Sequence, residues 1–474
     1  VITVDNIAGT VQNVDEFYGI QPPNALIDLQ LLGLDTNRRL LSSTGNIFAS
    51  DEGLSVISRN VGAPDKGLIS YIASDYNTGW MNGDIKLATL SHNDTTNATG
   101  TELVDQTASG WTLPTGFSHN GSGTLTAASN TGQYQKAYDA ITSFVVGKVY
   151  TVTFNVTAKS GSMSFWINDS TSYSGNWTGT NEIAGTGIKS HTFTASDTTG
   201  YVVFQCNSLG NTITVSDISV RLAEEDRSFN NNGVQVFGTV TKTAVATGAE
   251  LVGYSGFSTS NFLRKPYHSG LDLGTGDFVF SIWCKLTAAS SQYDFLWEPQ
   301  TADSGQRFYI LRNISTGNLY LPYNTNIPNT FIPIGIWTKV DIVRRNNIAS
   351  QYINGKKAGI NYASNHNLDA SSSSGNYRYT HIGCYTEGSF AWNGSIALAR
   401  ISATAPTPEQ IAKMYNDEKQ LFATNAKATL YGTSDAVTAL AHDDDTELLH
   451  VGTSAGRSVF QGLNRVDNTT DAVG

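Results

Sequence analysis

Residues 277–286 read DFVFSIWCKL, and that stretch decides the architecture. Phe278, Phe280, Ile282, Cys284 and Leu286 alternate with Val279, Ser281, Trp283 and Lys285. This is the period-two pattern of a half-buried strand, not the 3.6-residue period of a helix. The same short period recurs in VYTVTFNV (149–156), GYVVFQC (200–206) and TKVDIVRR (338–345), each bounded by Gly, Asn, Ser or Asp turn clusters. Helical signals are scarce. One segment, PTPEQIAKMYNDEKQLF (406–422), reads as a helix, with Thr407 as cap, Pro408 in the first turn, and Ile411, Met414, Tyr415 and Leu421 near one face. The expected fold class is all-β, with one short helix late in the chain.

Bulk properties agree. A chain of 474 residues, 39% hydrophobic and 15% charged, has material for several cores, and its 45 Gly against 11 Pro suit sheets joined by tight turns. A net charge of −11 and the lack of any Lys/Arg cluster exclude nucleic acid as a main partner. No apolar run reaches the length of a membrane span, so no membrane insertion is expected. The opening residues VITVDNIAGT have neither a signal-peptide pattern nor an initiating Met, so the chain is expected to be processed or part of a longer one. Three cysteines without a CxxC pair make neither a disulfide framework nor a structural zinc site. Cys284 reads as a core residue, with a Cys284–Cys384 bridge as the alternative.

Four segments emerge. Residues 100–224 hold several short strands and predict a two-sheet sandwich. With its ELVDQTASGW opening, central VYTVTFNV and closing TITVSDISVRL, this unit resembles jelly-roll carbohydrate-binding modules. Residues 225–423 contain GLDLGTGDFVFSIWCKLT (270–287), IGIWTKVDIVRRNNIASQYINGKKAG (334–359), THIGCY (380–385) and FAWNGSIALARIS (390–402), followed by the helix. That order resembles laminin G-like, concanavalin A-like domains. In it Asn354-Gly355 makes a hairpin turn, where both positions need positive φ.

The flanks, 1–99 and 424–474, echo each other. ASDYNTGWM (73–81) parallels AHDDDTELL (441–449), and FASDEGLSVI (48–57) parallels VGTSAGRSVF (451–460). Repeated strand–turn–strand units suggest a β-repeat, propeller-like scaffold into which the two sandwiches are inserted. The whole order resembles structural proteins of tailed-phage virions. That resemblance implies a tail or fibre component facing outward, other virion tail proteins as partners, and a host-surface glycan as ligand. The incomplete flanks predict a homo-oligomer, with a trimer favoured.

Sugars present CH faces that stack on rings and hydroxyls that need polar partners. In the first sandwich Trp166, Tyr173, Asn176 and Trp177 stand in the polar stretch WINDSTSYSGNWTGTNE (166–182), although Trp166 also closes the strand pattern MSFWI. In the second, Trp297, Tyr309, Tyr320 and Tyr323 are candidates, as are Tyr385 and Trp392 in GCYTEGSFAWNG (383–394); such rings also fill space between sheets. No cofactor is required, but the resemblance makes Ca2+ a candidate ligand, with Asp272 and Asp277 as possible oxygens or simple turn formers. AHDDDTE reads as a solvated hairpin tip. There is no spaced ExDxE run, no GxSxG and no HExxH, so the chain is read as not an enzyme. A spacer without ligand and a polysaccharide depolymerase are the alternative readings.

Overall fold

The computed structural model describes residues 53–60, 68–73, 85–128, 132–173, 177–180, 182–228, 230, 233–288, 293–299, 309–313, 315–321, 329–369, 379–432, 437–443, 445–462 and 464–470. Nearly every element among them is a strand, so the all-β expectation holds.

In the first sandwich one sheet runs in the order Thr178–Thr180, Met163–Asn168, Gly200–Cys206, Gln135–Ile141, Trp111–Thr112. Facing it are Gly187–Thr194, Val149–Ser160, Thr212–Glu224, Leu125–Ala128 and Phe117–His119. The core forms where alternate residues of the two sheets meet. Phe154 lies against Phe204 and Phe165, with ring centroids 5.1 and 4.7 Å away. Met163, Phe165 and Ile167 join that core, so strand alternation sends Ser164, Trp166 and Asn168 to the other face.

The second sandwich is built around the strand Phe278–Leu286. It pairs with Thr338–Arg345 on one side and Gly394–Ser402 on the other. Phe278, Phe280, Ile282, Cys284 and Leu286 enter the core between the sheets, while Val279 and Trp283 face outward. The opposing sheet runs Val234–Ala244, Phe262–Lys265, Thr380–Ile382, Asp294–Pro299, Ile310–Arg312, Leu319–Tyr320. Trp297 from that sheet stacks on Phe280, with centroids 4.5 Å apart and planes at 6°. The hairpin at Asn354-Gly355 has φ of 51° and 76°, the turn geometry its sequence predicts. Cys206, Cys284 and Cys384 are free and buried, so the bridge alternative falls. Burial pushes the Cys384 thiol up to about 12.

Helix Pro408–Glu418 covers the outward face beside Trp283. Its capping box is complete: the Thr407 hydroxyl accepts from the Gln410 N–H, and the Gln410 side chain accepts from the Thr407 N–H. Ile411 and Met414 pack down, and the helix ends on a buried polar anchor. Arg400 Nη2 donates to both Glu418 carboxylate oxygens, at 3.0 and 2.9 Å, and the Trp283 indole N–H donates to the same carboxylate. No helix among the described residues is long and apolar enough to cross a membrane.

The flanks need one correction. Ile85–Thr89 and Ala98–Gly100, which the sequence reading leaves in the 1–99 scaffold but for Gly100, pair with Gly394–Ser402 and Val234–Ala244 of the second sandwich. Local alternation identifies a strand but says nothing about which sheet receives it. Gly53–Asn60 forms a hairpin with Leu68–Ala73 and pairs in parallel with Thr429–Leu430, so the two flanks meet. Val437–Asp443, Leu448–Thr453, Gly456–Gln461 and Asn464–Thr469 make a four-stranded meander. Leu449, Val451 and Phe460 of that meander join the cluster around Trp283. The C-terminal copies of both echoed motifs are hairpins; of the N-terminal copies, residues 48–52 and 74–81 lie outside the described residues. Asp443 accepts from the Asp445 N–H at 3.0 Å and the Thr446 hydroxyl at 2.7 Å, as a hairpin tip does.

Candidate functional site

The ring-bearing sheet of the second sandwich presents a contiguous aromatic surface. Leu319 and Leu321 point into the core, so Tyr320 between them points out. Register carries that face across the sheet, because Tyr320 pairs with Leu311 and Leu311 with Phe295. Tyr309 stacks on Tyr320 at 5.9 Å and 12°, and Phe295 lies 5.6 Å from Tyr309, 4.9 Å from Tyr385 and 6.0 Å from Phe390. Tyr293 closes the group, 6.3 Å from Tyr320 and 6.4 Å from Phe390. Tyr293 and Phe390 are 42% and 39% exposed, and Tyr309, Tyr320 and Tyr385 are half-buried, so ring surface is open to solvent.

Beside the rings runs a polar row. Gln235, Arg264, His381 and Glu298 are register partners on successive strands, each alternating with a core residue. Glu298 accepts from the Thr386 N–H at 3.1 Å and hydroxyl at 3.3 Å, which ties the Tyr385–Phe390 loop to the sheet. The Arg264 guanidinium lies over Phe237 and Tyr379, 4.3 and 4.0 Å from their centroids. Burial, reinforced by the Arg264 charge, drives the His381 imidazole down to about 3, so it is neutral at ordinary pH. At the far end of the row Gln235 donates to the Thr151 carbonyl at 3.4 Å, where the first sandwich covers the sheet. The face thus passes from a covered polar end to an open aromatic end.

Only some of the expected residues meet there. Tyr385 belongs to the open group, and Tyr309 and Tyr320 with it. Trp297 and Trp392 are buried in the core at 1% exposure, so neither is available for stacking. Trp177 packs edge-on to Phe144 at 5.4 Å and stacks with Phe193 at 5.9 Å, attached to the core despite its polar neighbours. Trp166 and Tyr173 touch each other on the outward face of the first sandwich, away from the open rings. Asn176 and Tyr323 lie outside the described residues. Asp272 accepts from the Tyr267 hydroxyl at 2.8 Å, and Asp277 from the Asn346 N–H at 2.8 Å. Among the described residues no group of three or more His, Cys, Asp or Glu is placed to hold a metal. Sequence reasoning missed Tyr293 and Phe295, neighbours in one run, and Phe390 from a distant loop, which only the fold brings together.

Comparison with known proteins bears on this sandwich. Residues 257–412 match the Laminin_G_3 model of the concanavalin A-like lectin/glucanases superfamily. No curated protein matches the chain. Among solved structures, the chain is similar to domain 4 of AbnA, a GH43 extracellular arabinanase from Geobacillus stearothermophilus, in complex with arabinotriose. That likeness has 18% identity over 40% of this chain and 92% of the other, with a TM-score of 0.33. A Trypanosoma rangeli sialidase in complex with the inhibitor DANA gives 9% identity over 42% of this chain and 31% of its own length, at a TM-score of 0.32. A mutant of that sialidase displaying trans-sialidase activity covers the same shares at 10% identity and a TM-score of 0.31. The chain therefore spans less than a third of the sialidases, and at these scores the likenesses carry no statement about activity.

The family match does overturn one expectation, that the chain is not an enzyme, because the superfamily embraces glucanases as well as lectins. Missing short motifs could not exclude catalysis, since a fold can bring carboxylates together from strands far apart in sequence. Residues 257–412 are therefore similar to laminin G-like domains of the concanavalin A-like lectin/glucanase type.

Proposed function

We propose that the chain binds a glycan along the open aromatic face of its second sandwich. The carrying observation is the cluster of Tyr293, Tyr309, Tyr320, Tyr385 and Phe390 packed over the buried Phe295 on the face turned from the core, a surface that costs exposure of apolar rings unless a ligand uses it. Stacked rings offer successive platforms for the CH faces of sugar units, and the tyrosine hydroxyls supply donors and acceptors for their hydroxyls. The order of units supports a finer reading, a virion tail or fibre protein that attaches to a host-surface glycan. Presentation as a homo-oligomer, a trimer in this reading, raises avidity by roughly 10² to 10⁴ without new contacts.

A glycan array probed with the purified full chain, alongside its Tyr320→Ala variant, tests the reading. Defined glycan hits that weaken at least several-fold in the variant are expected. Hits unaffected by Tyr320→Ala would move the site elsewhere. Reducing ends measured after incubation with the bound glycan separate binding from cleavage.

A further inference from the structure

The first sandwich has an aromatic face of its own, and it is closed. Trp166 stands on the outward side of its strand, between Phe165 and Ile167 of the core, yet its exposure is 0%. The cover comes from the segment that follows the strand and from Lys136 on Gln135–Ile141 of the same sheet. Tyr173 meets the indole edge-on, with centroids 5.3 Å apart and planes at 88°, and Lys136 Nζ lies 5.4 Å from the ring centroid. Alongside are Tyr138 and Tyr201, half-buried, 5.8 Å apart and edge-to-face. The neighbouring strand leaves room for the indole, since a Cβ at Gly179 would lie 2.6 Å from the Trp166 Cβ.

Two features distinguish this cover from ordinary packing. The strap, residues 169–173, contributes nothing to the core cluster and is held by the Tyr173 ring contact and by polar contacts. Lys136 Nζ donates to the Thr171 carbonyl at 3.0 Å, Asn168 Nδ2 to the Ser172 carbonyl at 3.0 Å, and the Asp169 N–H to Asn168 Oδ1 at 2.9 Å. Beneath it the Trp166 indole N–H is fully buried and has no acceptor among the described residues. A buried donor without a partner is costly, and a ring placed outward but sealed from water has no core to fill.

We propose that this face is a second saccharide site kept closed by the strap, with Tyr173 lying over Trp166 where a sugar ring would lie. Opening exchanges the Tyr173 edge for the CH face of a sugar, gives the indole N–H a hydroxyl acceptor, and turns Lys136 from the Thr171 carbonyl to the ligand. The site is separate from the open face of the second sandwich and does not depend on it. Because the closed state withholds the site, apparent affinity is reduced by the fraction of molecules that are open. Removing the Tyr173 ring therefore strengthens binding, the reverse of what loss of a contact residue does.

The test uses the full chain carrying Tyr309→Ala and Tyr320→Ala, so that the open face is removed, titrated by calorimetry with hexasaccharides from cellulose, xylan, laminarin and arabinan. Adding Tyr173→Ala is expected to tighten binding of at least one of them about tenfold, and Trp166→Leu is expected to abolish the gain. If Trp166→Leu does not fold, Trp166→Phe serves and should lose most of the gain. A Tyr173→Ala chain that stays folded and gains nothing for any of the four overturns the proposal, as does a gain that survives loss of Trp166. The effect of Tyr309→Ala and Tyr320→Ala on the otherwise unaltered chain reports separately on the second sandwich.

Discussion

Both sandwiches carry aromatic rings on a face turned from the core, but the second leaves Tyr309, Tyr320 and Tyr385 partly in solvent while the first seals Trp166 under Tyr173. A third outward face, beside Trp283, is sealed by the helix. Alternation along a strand fixes which side of a sheet a ring takes. What lies over that side is fixed elsewhere in the chain, by a strap, a helix or a neighbouring sandwich. The candidate binding surface is the one aromatic face among these three that is left open.

The covers can be broken one at a time. The largest effect is expected from Glu418→Ala, which leaves Arg400 buried without its carboxylate and the Trp283 indole N–H without an acceptor. A loss of about 3–5 kcal/mol in denaturant unfolding is expected. A loss under 1 kcal/mol would show that the helix cover is incidental.

Trp177→Ala comes next. Its contacts with Phe144 and Phe193 tie it to the first core, so a cost of about 2 kcal/mol is expected, read as a lowered Tm. Glycan affinity of the folded variant should be unchanged. Weaker binding with an unaltered Tm would return Trp177 to the ligand surface.

The covered end of the second sheet has a pH signature. The native His381 imidazole sits at about 3 against an ordinary 6.5, so between those values the unfolded chain holds a proton that the native chain does not. Stability should therefore fall as pH drops from about 6.5 toward 3, by up to about 1.4 kcal/mol per pH unit, and this contribution is flat above 6.5. Unfolding curves of His381→Gln across that window should show a shallower slope, whereas an equal slope would show that His381 takes up its proton in the native chain as readily as in the unfolded one.

The smallest stability effect belongs to the open face. Tyr293→Ala at 42% exposure should change stability by no more than about 0.5 kcal/mol. Its glycan affinity should nonetheless fall several-fold.

The sequence carried the strands well, because a period-two pattern such as DFVFSIWCKL survives folding unchanged: its alternate residues enter the core as the pattern implies. The Asn354-Gly355 turn and the Thr407 cap were legible for the same reason, each being a local preference of a few residues. The destination of Ile85–Thr89 was not, since its sheet partner Gly394–Ser402 lies some three hundred positions away. Ring exposure was the least legible. Trp177 stands among Asn, Thr and Gly yet packs on phenylalanines, while Tyr320 stands between two leucines yet faces out. Neighbour polarity misleads where strand alternation does not, and Tyr293 and Phe295 meet Phe390 only once a strand and a distant loop are brought together.

The central claim is that the open aromatic face of the second sandwich binds glycan. The most direct measurement compares the full chain with its Tyr309→Ala/Tyr320→Ala variant, titrating a glycan found on the array and recording Tm for both. The account predicts a loss of affinity of tenfold or more, with Tm moving by no more than a few degrees. Unchanged affinity in a folded double variant would contradict it.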